Sequence, residues 1–238
     1  MKAKCIAVLV LAVAVGFASA AMADQFSFSF NGGGITASGT LWVGQQSSNS
    51  ATPPGYEITG ITGTFSDTNP GANVSGAITG LYQPVSYQSN TEVTPGIALT
   101  TGGLSYDDLF YPAGDSPAIC YDLDPATGKY VLTYPFSGGV FDIFGVTFNI
   151  AGTGGYVGEL WSNGDVGGGP IVYAAGLANA TKLLDDPNSV PGPGVPPPGE
   201  YGALSVTPTP EPSSLVLFGI GLLGLAALWT RKNTQCGM

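Results

Sequence analysis

Gln25-Phe26-Ser27-Phe28-Ser29-Phe30-Asn31, closed by Gly32-Gly33-Gly34, is the stretch on which the reading of the fold turns. Phenylalanine and serine alternate with period two, so one face of an extended chain is aromatic and the other polar, which is the pattern of a half-buried β-strand. Similar runs follow at 35–43, 56–65, 74–82, 97–100, 119–123, 129–134, 140–150, 156–161, 171–175 and 203–206, separated by turns rich in Gly, Pro, Asn and Asp. No stretch carries a 3.6-residue amphipathic period long enough to require a helix in this part of the chain. Many short strands with frequent turns predict a mainly-β fold, a single β-sandwich of jelly-roll-like or Ig-like type, with an open barrel as second choice. Thr59 to Thr64 echoes loosely in Ser75 to Gly80, which is similar strand chemistry and not a solenoid repeat.

Composition narrows the function classes. The 238 residues include 37 Gly and 19 Pro, and only 9% are charged. Between Asp24 and Pro210 two basic residues, Lys129 and Lys182, face fifteen acids, a formal charge of −13. Such a surface repels phosphate backbones, which excludes nucleic acid as a partner. The chain has no His, which removes Ser-His-Asp and Cys-His nucleophile systems and the commonest catalytic zinc sites. Of the three cysteines, Cys5, Cys120 and Cys236, one lies in the central region, so no disulfide forms within it.

The two ends are apolar. Lys2 and Lys4 precede an apolar run from Ile6 to Phe17, and small residues end at Ala21-Met22-Ala23, a secretory signal with an A-x-A cleavage site at Ala21 and Ala23. Ser213 to Thr230 is almost wholly apolar and would measure about 27 Å as a helix, close to the thickness of a bilayer core. Arg231 and Lys232 follow, and by the positive-inside rule that end stays cytoplasmic. Pro187, Pro191, Pro193, Pro196, Pro197 and Pro198 mark a loop or spacer between the central region and this tail. The organisation expected is a signal peptide at 1–23, a β-sandwich ectodomain at 24–186, a Pro-rich loop or spacer at 187–209 with a candidate last strand at 201–206, a tail at 210–232 with a transmembrane helix at 213–230, and a short cytoplasmic end at 233–238.

Few residues suggest chemistry. Asp122-Leu123-Asp124-Pro125-Ala126-Thr127-Gly128-Lys129 sets two carboxylates on alternate residues before a glycine. That would begin a calcium loop, but the further oxygen ligands of an EF-hand are absent, and a hairpin turn wants the same residues. Asp122 and Asp124 are thus the metal candidates, Ca²⁺ the candidate ion, and no other cofactor is expected. Asp107-Asp108 and Asp185-Asp186 are adjacent pairs whose members point to opposite faces of an extended chain. Glu159, beside Leu160-Trp161, is the first suspect for a glycosidase acid, but the reading expected of it is a rim-exposed carboxylate. Trp42, Trp161 and the tyrosines would serve either as sugar-stacking platforms or as core. Cys120 reads as a buried inert thiol. Gly219-Ile220-Gly221-Leu222-Leu223-Gly224 has the form of a dinucleotide fingerprint but sits inside an apolar span, where small residues serve helix packing.

Pro210-Glu211-Pro212, the apolar span and the basic end Arg231-Lys232 stand in order near the C-terminus, after an N-terminal signal. This composite resembles the PEP-CTERM sorting signal of Gram-negative bacteria. The tail is also labelled as an ice-binding protein C-terminal domain. The resemblance implies handling by an exosortase-like enzyme, a precursor held in the inner membrane by its C-terminal helix, and a mature form at the cell surface or outside the cell. Many members of that family occur in bacteria that build exopolysaccharide. Gly34 to Gly39 and Asp107 to Pro112 are similar to stretches in β domains of other PEP-CTERM proteins. The function this implies is a non-enzymatic surface or matrix protein associated with exopolysaccharide and biofilm. The alternatives are a carbohydrate-, calcium- or ice-binding module and a glycosidase.

Overall fold

The computed structural model describes residues 25–47, 53–82, 88–89, 98–99, 105–165, 168–179 and 200–209, with the single residues 221 and 224. Its strands are β1 (Gln25–Gly32), β2 (Ile35–Gln46), β3 (Tyr56–Asp67), β4 (Val74–Leu81), β5 (Gln88–Ser89), β6 (Ala98–Leu99), β7 (Ser105–Tyr106), β8 (Leu109–Phe110), β9 (Cys120–Asp124), β10 (Lys129–Tyr134), β11 (Val146–Ile150), β12 (Val157–Ser162), β13 (Tyr173–Ala178) and β14 (Glu200–Pro208). The expected signal at 1–23 and spanning helix at 213–230 lie outside the described residues, apart from Gly221 and Gly224, which are helical. Among the described residues no helix is long and apolar enough to cross a membrane.

Eight strands close into a ring in the order β1-β14-β13-β12-β11-β4-β3-β2, and β2 returns to β1. Every ladder in the ring is antiparallel. The expected sandwich is therefore wrong: the fold is a closed β-barrel, and the β1–β14 and β2–β3 ladders leave no open edge between two sheets. Glycines explain how the wall bends this sharply. Gly39 and Gly63 lie opposite each other across β2 and β3. A Cβ at Gly39 would sit 1.9 Å from the Thr62 carbonyl oxygen, and one at Gly63 2.0 Å from that of Ser38, so only bare backbone fits this corner. Elsewhere a large residue faces a small one, as Phe148 does across Gly158 and Phe30 over Gly202.

The interior follows from the alternation quoted first. Phe26, Phe28 and Phe30 of β1 point inward with Ile35, Ala37 and Leu41 of β2, Ile61 and Phe65 of β3, and Val146 and Phe148 of β11. Phe65 and Phe148 meet at 5.8 Å between ring centres. Phe110 of β8, which pairs with the start of β3, lies tilted against Phe26 at 4.6 Å between ring centres, and Phe141 meets Phe110 edge-on at 6.2 Å. A two-residue turn, Gly33 (φ 56) and Gly34 (φ 83), joins β1 to β2, and both residues need the left-handed conformation that glycine adopts freely. The Asn69 side-chain amide donates to the Gly33 carbonyl at 2.7 Å, tying this turn to the one after β3.

First and last strands are fastened together. Phe26 pairs with Pro208, the Thr209 amide donates to the Gln25 carbonyl at 2.9 Å, and the Ser27 and Thr209 hydroxyls lie 3.2 Å apart.

Candidate functional site

The barrel wall has two unlike outer faces. Around β11, β12 and β13 consecutive residues are buried, as in Val157 to Ser162 and Ala174 to Ala178, so both sides of the wall are covered. Register assigns the sides. Leu160 lies opposite Val146 and faces in, whereas Glu159, opposite Thr147 and Gly176, faces out, as do Val157 and Trp161. Among the described residues, Tyr82 and the stretch 105–145 cover them. Trp161 packs with Ile119, Ile143, Phe144, Ala174 and Phe136, and Val157 with Ala178 and Tyr82. The Tyr82 ring meets Tyr106 edge-on at 5.9 Å.

Acidic side chains gather in this seam. Asp142 Oδ1 accepts the Phe144 and Gly145 amides at 2.9 and 3.1 Å, and its Oδ2 accepts the Tyr111 hydroxyl at 3.1 Å. Asp107 Oδ1 accepts the Leu109 amide at 3.1 Å, and Asp108 Oδ1 the Thr147 amide at 2.9 Å. Asp108 has a φ of 54, tolerated by aspartate. Its amide donates to the Gly145 carbonyl at 3.0 Å, and its carbonyl accepts the Ile58 amide at 2.9 Å, so with the Thr147 amide it is tied to both β3 and β11. Glu159 is 0% exposed, and among the described residues neither of its carboxyl oxygens, nor the Thr147 hydroxyl beside it, has a hydrogen-bond partner. Lys129, the sole basic residue among those described, is exposed on the β9–β10 hairpin.

Burial raises every carboxyl of this seam above the ordinary range, because a low-dielectric interior disfavours the charged form. Desolvation is the largest cause for each. Asp107 stands well above its usual value and is pushed further by the neighbouring charge of Asp142. The amides and Tyr111 hydroxyl that Asp142 accepts restrain its rise. Among the described residues Asp107 Oδ2 has no hydrogen-bond partner. Asp108 is raised to about 7 against the pull of the Thr147 amide. Glu159 is raised well above its usual value by burial, then by the charges of Asp108 and Asp142.

Several sequence expectations are corrected here. Glu159 is not a rim carboxylate but the most enclosed acid of the chain's outer wall. Asp107 and Asp108 both serve the same seam, because the left-handed turn at Asp108 breaks the extended geometry that would have sent them to opposite faces. The tryptophans part company: Trp161 is buried at 0% exposure and Trp42 is 36% exposed. Asp124 spends its carboxylate on its own hairpin, accepting the Ala126 amide at 2.9 Å and the Thr127 hydroxyl at 2.7 Å. Gly128, with a φ of 65, completes the turn. Among the described residues no three His, Cys, Asp or Glu side chains are arranged to hold a metal. The side chains of Cys120 and Asp122 and the residues Ala21, Ala23, Asp185, Asp186, Pro210, Glu211, Pro212, Arg231 and Lys232 lie outside what the structure describes.

The opposite face of the barrel is bare. Across β14, β1, β2 and β3, register aligns Thr207, Ser27, Thr40 and Thr62 in one outward row. The next row is Ser205, Ser29, Ser38, Thr64 and Ala77, and the third is Ala203, Asn31, Thr36, Ser66 and Ser75, both reaching β4. No member is charged. Neighbours stand about 4.8 Å apart across strands and about 6.7 Å apart along them. Trp42 lies beside this lattice with its ring over Gly60 and its other side toward solvent.

No curated protein and no solved structure shows a significant match to this chain. A family match begins at the last residue of β14. Residues 208–232 match the PEP-CTERM protein-sorting motif, which marks the chain as an exported, exosortase-sorted protein of the cell envelope or surface.

Proposed function

We propose that this protein is a non-enzymatic component of the bacterial surface or matrix that rests against neutral exopolysaccharide through the outer face of β14, β1, β2, β3 and β4. The observation that carries the reading is the uncharged Ser/Thr lattice with Trp42 at its margin. Ordinary protein surfaces mix charges into such positions, with about a quarter of residues charged overall. A lattice of hydroxyls repels neither partner nor water-bound ions and offers donors and acceptors at regular spacing to a polyhydroxylated chain. An indole with one face open stacks on the apolar face of a sugar ring. The precursor is anchored by its C-terminal helix in the inner membrane before exosortase acts, a step for which the motif at 208–232 is the support.

The test is co-sedimentation of the purified protein with exopolysaccharide from its own host and with an uncharged glucan. Retention is expected to persist at high salt, since no ion pair mediates it. It is expected to fall at least several-fold in Trp42→Ala. Retention that salt abolishes, or that Trp42→Ala leaves intact, refutes the reading.

A further inference from the structure

Thr147 of β11 and Glu159 of β12 stand directly opposite each other in the ladder. In the same ladder the Ile150 amide donates to the Tyr156 carbonyl. Counting by twos from that bonded pair makes 147 and 159 a non-hydrogen-bonded pair, the kind whose Cα atoms approach most closely, at about 4.5 Å. Both residues are 0% exposed. Among the described residues neither the Thr147 hydroxyl nor either carboxyl oxygen of Glu159 has a hydrogen-bond partner. Native interiors seldom leave such groups unpaired, and here a nucleophilic oxygen and a carboxyl face one another at the same spot. An oxygen above the plane of a carboxyl group, aimed at its carbon, makes no hydrogen bond with that group, since good acceptor geometry lies near the plane. That direction is also the line of nucleophilic attack.

Asp108 completes the group. Its Oδ1 accepts the Thr147 amide at 2.9 Å, and burial raises its carboxyl to about 7 against the pull of the Thr147 amide and side chain. It can therefore take up and return a proton beside the hydroxyl. Burial also keeps Glu159 neutral, the form in which a carboxyl carbon accepts a nucleophile. The central region has one cysteine, Cys120, so an exported barrel must be fastened by something other than an internal disulfide.

We propose that Thr147 and Glu159 are joined by an ester, a covalent cross-link between β11 and β12. Thr147 Oγ1 bonds to Glu159 Cδ, and the bond from Cδ to its hydroxyl oxygen breaks. The Thr147 hydroxyl proton passes to the Asp108 carboxylate and from there to the departing oxygen. One water leaves; nothing is oxidised or reduced and no co-reactant is consumed. Bulk water opposes such a condensation by mass action. Groups fixed face to face reach effective molarities of about 10⁵–10⁸ M, far above the concentration of water, so the link is favoured. Its complete burial shields it from hydrolysis.

Mass spectrometry of the folded native protein tests this. The intact mass is expected to fall short of the sequence, in whichever processed form is isolated, by one water. Chymotryptic cleavage after Tyr156 should leave the piece that holds Thr147 tied to the piece that holds Glu159, and mild alkali should part them with return of one water. Thr147→Val, which keeps the shape and removes the hydroxyl, is expected to show the full mass and separate pieces. If that variant fails to fold, the alkali-released pieces of the native protein decide alone. Full mass in the native protein overturns the proposal. So does a missing water that persists in Thr147→Val, or one that maps to another position, as ring closure at an aspartate would.

Discussion

One half of the barrel wall is covered once and the other half twice. β1 to β4 alternate, with aliphatic and aromatic residues inside and hydroxyls in water. β11 to β13 bury nearly every residue, because Tyr82 and the stretch 105–145 lie over their outer face. The difference teaches where each half draws its stability and where each can respond to its surroundings. The thin half depends on backbone closeness at its glycines, and its outside is chemically inert. The thick half depends on side-chain packing, and polar groups trapped between its layers make it sensitive to protons.

The largest effect is expected where the thin half is tightest. Gly39→Val or Gly63→Val places side-chain atoms inside the neighbouring strand's backbone, and a loss of more than about 4 kcal/mol, seen as absence of a cooperative thermal transition, is expected. Next, Trp161→Ala empties the centre of the thick half and should cost about 3–5 kcal/mol in denaturant unfolding. Trp42→Ala on the thin half should stay within about 1 kcal/mol.

A pH experiment sharpens the contrast. The Asp108 carboxyl is raised from 3.8 to about 7, so the folded state holds its proton more tightly than the unfolded chain. Below about pH 4 both states are protonated and the group is neutral to stability; as pH climbs to about 7 the unfolded chain gains by ionising and the fold weakens. Asp108→Asn is therefore expected to raise stability at about pH 8 by on the order of 2–4 kcal/mol and to leave it nearly unchanged at about pH 4. Thermal melts at the two pH values check this. The smallest effect belongs to Thr64→Lys in the hydroxyl lattice: about 0.5 kcal/mol or less on stability, with glycan retention as the property that falls.

This contrast also explains what the sequence discloses. Phe26-Ser27-Phe28-Ser29-Phe30 announces its strand and its inward face, because water on one side forces alternation. Val157 to Ser162 carries no such signal, since a strand covered twice has no polar side to display. For the same reason 140–150 reads as one run, whereas the strand begins only at Val146; Phe141 packs against Phe110, and Asp142 and Phe144 belong to the seam. β7 and β8 are two residues each, too short for any period to register. The strand pattern reads as a sandwich and not a barrel because ring closure resides in glycines. Gly39, Gly63, Gly158 and Gly202 interrupt hydrophobic strands, and that interruption was the available sign of a bent wall. Of the seam, Glu159 and the Asp107-Asp108 pair were visible as residues, but their convergence depends on a left-handed turn and a long-range ladder that no local pattern encodes.

The clasp between Gln25 and Thr209 makes completion of the barrel a report on the whole chain. The first strand has no second neighbour until the last one arrives, and the last one runs directly into the sorting motif. Ring closure across such a sequence separation is slow, and a chain cut short before β14 leaves two raw edges open to aggregation or proteolysis. The strand that seals the cylinder is thus also the one that leads into the address label.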